Sequence, residues 1–269
     1  MATIRLGCQA NAWQREFKVI DNLGEALRQV KAAGYAGVEI GTAYIADLDQ
    51  PALLSDLLQQ HGLTYAAIHV GGRMYDRTTA GERTLPAIRR AAAFGRAAGA
   101  EAALISTGAK RDGALTDDEH AANIEGLREA SRIVRDHGLI AYYHNHAYEF
   151  ADDAVVLQRI LDGVPAELLN LAFDTANAAA LLPAAQVPAV IRRYRERIGY
   201  MHYKDCRGTE LVEALGDGEI DFADVASALT EIDFSGWVVA ELEGVPDAQR
   251  TVAEDTRRSC DLMRQTLGV

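Results

Sequence analysis

Cysteine is scarce and unpatterned in this chain. Cys8, Cys206 and Cys260 are far apart and odd in number. They form neither a disulfide framework nor a Cys-x-x-Cys metal motif, so a reducing, cytoplasmic setting is expected. Basic residues are also few: 27 Lys and Arg face 39 Asp and Glu, a net charge of -12 and a pI of about 5.0. Such a surface repels phosphate backbones, which argues against a nucleic-acid partner. No apolar run reaches the roughly 18 residues needed to cross a membrane. The N-terminus enters a strand-like pattern with no secretory signal. No glycine-rich phosphate loop follows the first apolar segment, where Cys8-Gln9-Ala10-Asn11-Ala12 stands instead. That disfavours a doubly wound dinucleotide-binding sheet.

What the chain does contain is a repeated alternation of short apolar runs with helix-spaced segments. Residues 4–10, 37–41, 63–70, 102–107, 139–146, 168–174, 199–203 and 236–242 read as strands. Between them lie helical patterns. One starts at Pro51, where proline is tolerated. Another is opened by the capping box Thr116–Glu119, and others are stopped by Gly34, Gly62 and Gly138. Eight βα units in 269 residues predict an α/β protein with a single (β/α)8 TIM barrel spanning residues 1–269.

In such a barrel the active site is built at the C-terminal strand ends. Polar residues collect there. Gln9 and Asn11 follow strand one, Glu39 is late in strand two and His69 late in strand three. Strand five runs into His144, Asn145, His146 and Glu149. Asp174 closes strand six, His202 and Lys204 strand seven, Glu241 and Glu243 strand eight. Alternation puts His144 and His146 on one face and Asn145 on the other. Carboxylates with imidazoles suit a hard or borderline divalent ion, and no thiolate is available to close the site. Each residue also has a plainer reading. Asp174 can cap the following helix, His202 can be a hydrogen-bonded core histidine, and Lys204 can pair with Asp205 at the surface. Four consecutive strands ending in ligand types favour the metal site.

Several motifs are shared with a known family. They are Leu6-Gly7-Cys8-Gln9-Ala10, Gly34-Tyr35-Ala36-Gly37-Val38-Glu39-Ile40, Tyr143-His144-Asn145-His146-Ala147-Tyr148-Glu149-Phe150, Phe173-Asp174-Thr175-Ala176-Asn177, Met201-His202-Tyr203-Lys204-Asp205 and Gly216-Asp217-Gly218-Glu219-Ile220-Asp221-Phe222. Through them nearly the whole chain resembles the xylose isomerase-like TIM-barrel superfamily, in the branch of sugar phosphate isomerases/epimerases and inosose dehydratase-like proteins. The resemblance implies one divalent metal, Mn²⁺ foremost, with Mg²⁺, Co²⁺ or Zn²⁺ as alternatives. Its ligands fall on Asp174, His202 and Glu241. The strand-five ligand departs from the pattern, because ketose 3-epimerases place a Glu where this chain has His144. Either His144 binds the metal or Glu149 swings back to do so, and Glu149 is the favoured choice, leaving an imidazole free as base.

The leading expectation is a metal-dependent sugar isomerase/epimerase that removes a proton next to the carbonyl of a keto-sugar or keto-polyol. A lyase or dehydratase of the inosose dehydratase or 3-keto-glycoside-cleaving kind is the close competitor. His144, His146, Glu149, Glu241 and Lys204 are the expected catalytic groups. His69, Arg73, Asn145 and Gln9 are expected to touch substrate, with residues 71–84 as a lid. An apurinic endonuclease is disfavoured by the acidic balance and the small ligand set. A non-catalytic sugar-binding barrel is disfavoured by the intact ligand set. The expected partner is a small carbohydrate, with no nucleic acid and no membrane, and the resemblance implies a homo-oligomer.

Overall fold

Eight apolar segments form eight parallel strands: β1 Ile4–Gln9, β2 Gly37–Gly41, β3 Thr64–Gly72, β4 Ala102–Thr107, β5 Ile140–His144, β6 Asn170–Asp174, β7 Ile198–Tyr203 and β8 Gly236–Ala240. Each pairs with its neighbours in chain order, and β8 pairs with β1 to close the barrel. This computed structural model describes residues 3–243 and 248–269, apart from 17, 46 and 109–112. The outer ring holds α1 Leu23–Ala33, α2 Pro51–His61, α3 Leu85–Ala98, α4 Asp117–Asp136, α5 Ala151–Gly163, α6 Val187–Arg193, α7 Phe222–Glu231 and α8 Val252–Leu267. No helix among the described residues is long and apolar enough to cross a membrane.

Local chemistry sets the helix ends. Gly34 and Gly62 stop α1 and α2 in left-handed conformation, with φ of 102° and 61°, which costs glycine little. The expected capping box Thr116–Glu119 opens α4, and a second, Thr251–Glu254, opens α8. The helix expected at 186–197 ends at Arg193. The one expected from residue 246 starts at Val252, and residues 246 and 247 lie outside the described residues. Residues 71–84 do not form an open lid. Arg77–Thr79 and Ala80–Thr84 are helical turns leading into α3. A short hairpin, Cys206–Arg207 against Glu210–Leu211, was not foreseen, because two-residue strands carry no periodic signal.

Alternation along the strands sorts the interior. Val38, Ile40, Ile105, Leu171, Phe173, Met201, Tyr203 and Val238 pack outward against the helices in the large core. Ala67, Leu104, Ala172, Tyr200, Trp237 and Val239 form a separate cluster inside the barrel. Below it Arg5 donates to Glu101 through Nη1 and Nη2, lies 4.1 Å over the Trp237 ring, and shares Glu101 with the Trp237 indole N–H. The floor is thus sealed by a packed aromatic layer. Above it the inward positions turn polar: Gln9, Glu39, His69, Ser106, His144, Asp174, His202 and Glu241.

Gly37 makes the floor possible. A Cβ there would lie 2.4 Å from the Trp237 ring and 2.9 Å from the Thr64 carbonyl. Gly37→Ala is therefore expected to destabilise the barrel by about 1–3 kcal/mol through overpacking. The urea midpoint should fall with an unchanged slope. A midpoint equal to that of the wild type would mean that the floor is not packed this way.

Candidate metal centre

Four side chains from adjacent strand ends converge: His144 on β5, Asp174 on β6, His202 on β7 and Glu241 one residue past β8. Each offers one ligand atom, all four atoms lie within 4.8 Å of one another, and all four residues are buried. The register explains the convergence. Asp174 pairs with His202, and His202 with Val239, two residues before Glu241 on the same face. The Glu241 N–H continues the ladder by donating to the Tyr203 carbonyl at 2.9 Å.

Three of the four are anchored by one atom and present another to the centre. Asp174 Oδ1 accepts the Asn177 N–H at 2.8 Å, capping Thr175–Ala179, while Oδ2 faces inward. The capping role and the site role thus coexist on one carboxylate. His202 Nε2 lies 2.7 Å from Glu39 Oε2, which leaves Nδ1 facing the centre. Glu241 Oε1 accepts from Lys204 Nζ at 3.2 Å, which leaves Oε2 inward. His144 Nε2 lies 2.9 Å from His202 Nδ1 and 3.6 Å from both inward carboxylate oxygens. Asp174 Oδ2 and Glu241 Oε2 are buried without a hydrogen-bond partner among the described residues. The 2.5 Å approach of His202 Nδ1 to Glu241 Oε2 lacks hydrogen-bond alignment. Unpartnered buried carboxylate oxygens are costly unless a cation meets them. The mixed N/O donor set therefore fits a divalent ion.

Glu149, the favoured strand-five ligand on sequence grounds, is not in this group. β5 ends at His144, and residues 147–150 turn as a 3₁₀ helix. The Glu149 carboxylate accepts from the Tyr143 hydroxyl and, at 2.6 Å, from the His146 N–H. Tyr143 points outward and is linked through Thr107 Oγ1 to Tyr148. Glu149 is thus held on the outer side of the sheet. Asn145 is likewise not a substrate contact. It is fully buried and clamps the Asp174 backbone, accepting its N–H at 3.0 Å. Lys204 pairs with Glu241 and Glu243. Asp205 instead receives N–H groups from Cys206, Gly216, Gly218 and Ile220, pinning the loop after β7. Trp13 and Phe150 are core residues.

The mouth of the centre lies over β1–β3, where a cavity of about 280 Å³ is lined by Gln9, Asn11, Gly41, Tyr44, His69 and Glu241. His69 sits 3.2 Å from Ser106 Oγ and its ring is 5.0 Å from that of His144. On the other side, His146 lies 5.3 Å from His144 and stacks on Tyr148. His146 Nδ1 has no partner among the described residues. Gln9 is buried and donates to Glu39 at 2.7 Å. Arg73 is exposed just beyond β3. Glu39, Ser106, Thr107 and Tyr200 complete the surroundings. Of these, sequence reasoning placed only Glu39 at a strand end, and it gave that residue no role.

Charge follows from packing. Burial and the nearby His144 and His69 push His146 down to about 4, so its imidazole is neutral near pH 7. Burial opposes the charged form of His202, but Glu39 and Glu241 outweigh it and raise the group to about 10. Burial pushes Glu149 up to about 7 against its two hydrogen bonds.

These features place the chain among barrels with a candidate metal centre at the C-terminal strand ends. The chain belongs to the xylose isomerase-like TIM barrel family, whose model matches residues 27–266. It is 28% identical over 253 residues to an inosose dehydratase of Geobacillus kaustophilus, covering 82% of this chain and 80% of that one. It is 24% identical over 280 residues to inosose dehydratase 2 of Bacillus cereus, covering 91% of each. Among solved structures it superposes on an L-ribulose 3-epimerase with a TM-score of 0.80 at 19% identity, covering 100% of this chain and 95% of that one. It also superposes on a D-allulose 3-epimerase from Methylomonas sp. with a TM-score of 0.76 at 18% identity, covering 99% of each. At such identities the structural likeness speaks for the fold alone.

The position of Glu149 carries a pH signature. Its carboxyl titrates near 7 when folded and near 4.5 when unfolded, so the folded state binds the extra proton between these values. Stability is then lost as pH rises from about 4.5 to 7, by up to about 3 kcal/mol. Glu149→Gln should flatten that part of the stability–pH curve, measured by urea denaturation at a series of pH values. A variant curve parallel to the wild-type one would rule out this placement of the carboxyl.

Proposed function

We propose that the protein is a divalent-metal-dependent enzyme that removes a proton next to the ketone of a cyclic keto-polyol or keto-sugar, with loss of a β-hydroxyl as water. The observation that carries this reading is the identity of the β5 group in the four-residue cluster. It is His144, an imidazole, and the one nearby carboxylate that could replace it, Glu149, is tied to Tyr143 and His146. A paired-glutamate proton exchange across two substrate faces is therefore unsupported here. This reverses the order of preference drawn from the sequence, and the inosose dehydratase names of the sequence relatives point the same way.

A divalent ion held by His144, Asp174, His202 and Glu241 would supply Lewis-acid polarisation of the substrate carbonyl. The chain's own groups do the rest. His146 Nδ1 is unpartnered and its imidazole neutral, so it accepts the α-proton. The C–H pair becomes the enolate, which reforms the ketone as a Cα=Cβ double bond forms and the C–O bond to the β-hydroxyl breaks. The same imidazolium returns its proton to the departing oxygen, so no net proton is consumed. Lys204, held between Glu241 and Glu243, keeps positive charge beside the centre. Gln9 and His69 face the mouth, where polyol hydroxyls would bind.

Epimerisation is the second reading. It is favoured by two further imidazoles, His69 and His146, whose rings lie 5.0 and 5.3 Å from that of His144, since two acid–base groups can move a proton between faces.

The deciding experiment incubates Mn²⁺-loaded protein in D₂O with inososes, 3-keto-glycosides and ketoses, read by NMR and mass spectrometry. Deuterium exchange with loss of water supports the dehydratase reading. Exchange with all hydroxyls retained supports the epimerase. His146→Ala should lower kcat by about 10²–10⁴ in either case. Absence of exchange with every substrate in metal-replete protein would sink both readings. Chelation should abolish turnover, and Mn²⁺ should restore it.

A further inference from the structure

Glu39 is neither one of the four candidate ligands nor a residue lining the mouth, yet four polar side chains converge on its carboxylate. It is fully buried on β2. Oε2 accepts from the Tyr200 hydroxyl at 2.9 Å and faces His202 Nε2 at 2.7 Å. Oε1 accepts from Gln9 Nε2 at 2.7 Å and faces His69 Nδ1 at 3.5 Å. All four groups can present hydrogens to it, and a carboxylate has acceptor positions for all of them.

We propose that Glu39 is a positioning residue that sets two imidazoles at once: His202 toward the metal position and His69 toward the mouth. The inference rests on the metal-centre reading. With the His202 proton held on Nε2 by Glu39, the Nδ1 lone pair is left to face Asp174 and Glu241. With the His69 proton directed to Glu39 from Nδ1, Nε2 is left as the acceptor opposite Ser106 Oγ, 3.2 Å away. A carboxylate behind a ligand imidazole fixes its ring and raises its basicity. Here one carboxylate spans β2, β3 and β7, so the metal side and the substrate side share a single anchor. A neutral amide at this position cannot serve all four donors, because its NH₂ would face at least one of them.

The test is equilibrium Mn²⁺ titration of the wild type, Glu39→Gln and Tyr200→Phe, with a cooperative urea transition required of each. Glu39→Gln is expected to weaken Mn²⁺ binding about 10–100-fold. Tyr200→Phe removes one neutral donor from the same oxygen and leaves the charge, so its effect should stay below about fivefold. Equal affinities for Glu39→Gln and the wild type would overturn the proposal and leave the metal centre standing. So would an equal loss in Tyr200→Phe, which would mark a packing role. A wild type that binds no divalent ion would remove the metal reading itself, and the proposal with it. Should Glu39→Gln fail to fold, nitrogen NMR of the Zn²⁺-loaded wild type decides. His202 is expected metal-bound through Nδ1 with a slowly exchanging proton on Nε2, and binding through Nε2 would overturn the assignment.

Discussion

Two carboxylate oxygens, Asp174 Oδ2 and Glu241 Oε2, sit buried at one point with no hydrogen-bond partner among the described residues. Like charges held close in a dry site repel, and each loses its hydration. The arrangement is tolerable only if positive charge meets it. Much of the upper barrel answers that need. Lys204 neutralises the far side of Glu241, and the His202 imidazole, raised to about 10, brings positive charge to its inner side. The partner oxygen of each carboxylate is already committed, to a helix cap in one case and to Lys204 in the other. The committed oxygens fix the orientation of the uncommitted ones.

That constraint divides the barrel into two layers. The floor is packed with Trp237, Tyr200, Leu104 and small residues, and it is closed below by the Arg5–Glu101 pair. It supplies packing energy, and its Tyr200 hydroxyl points up toward the polar layer. That hydroxyl is the seam between the layers, since it donates to Glu39. The ceiling is polar and depends on the floor to hold its residues in register. Strand pleating makes this division possible, because each strand contributes alternate residues to the interior and the register between strands aligns them in tiers.

The fold was legible because eight apolar runs alternate with helix-spaced segments, and the caps and stops at Thr116, Gly34 and Gly62 mark their boundaries. Asp174, His202 and Glu241 were legible for the same reason, since strand periodicity alone places them at one end. Glu149 and Asn145 were misread because periodicity was carried past the end of β5. The strand stops at His144, the chain turns, and Glu149 falls outside the sheet beside Tyr143. No residue in the motif announces that stop. Asn145 looked like a pocket group because it lies between two histidines, but opposite faces of a strand have different fates. Its face meets the β6 end, where it satisfies the Asp174 backbone. Glu39 is the converse case. It lies in a short segment that resembles any tight turn into a strand. Only the closed barrel brings Gln9, His69, Tyr200 and His202, which lie up to 163 positions from Glu39 in sequence, around its carboxylate.

The replacement of a carboxylate by His144 on β5 has a consequence for charge. A neutral ligand in place of an anionic one leaves the centre with two anionic ligands, and Lys204 offsets part of that. A divalent ion there keeps more of its positive charge for a substrate oxygen, which favours stabilising negative charge that develops next to it. The turn after β5 offers an uncommitted imidazole, His146, as the candidate base. Glu149 and Tyr148 hold His146 from behind, one through its backbone N–H and the other by stacking, while its Nδ1 stays uncommitted. The same eight-residue motif thus contributes a ligand candidate, a base candidate and the carboxyl that holds the base in place. The division of labour depends on the strand ending after His144: a longer β5 would put His146 in the sheet and leave Glu149 without Tyr143.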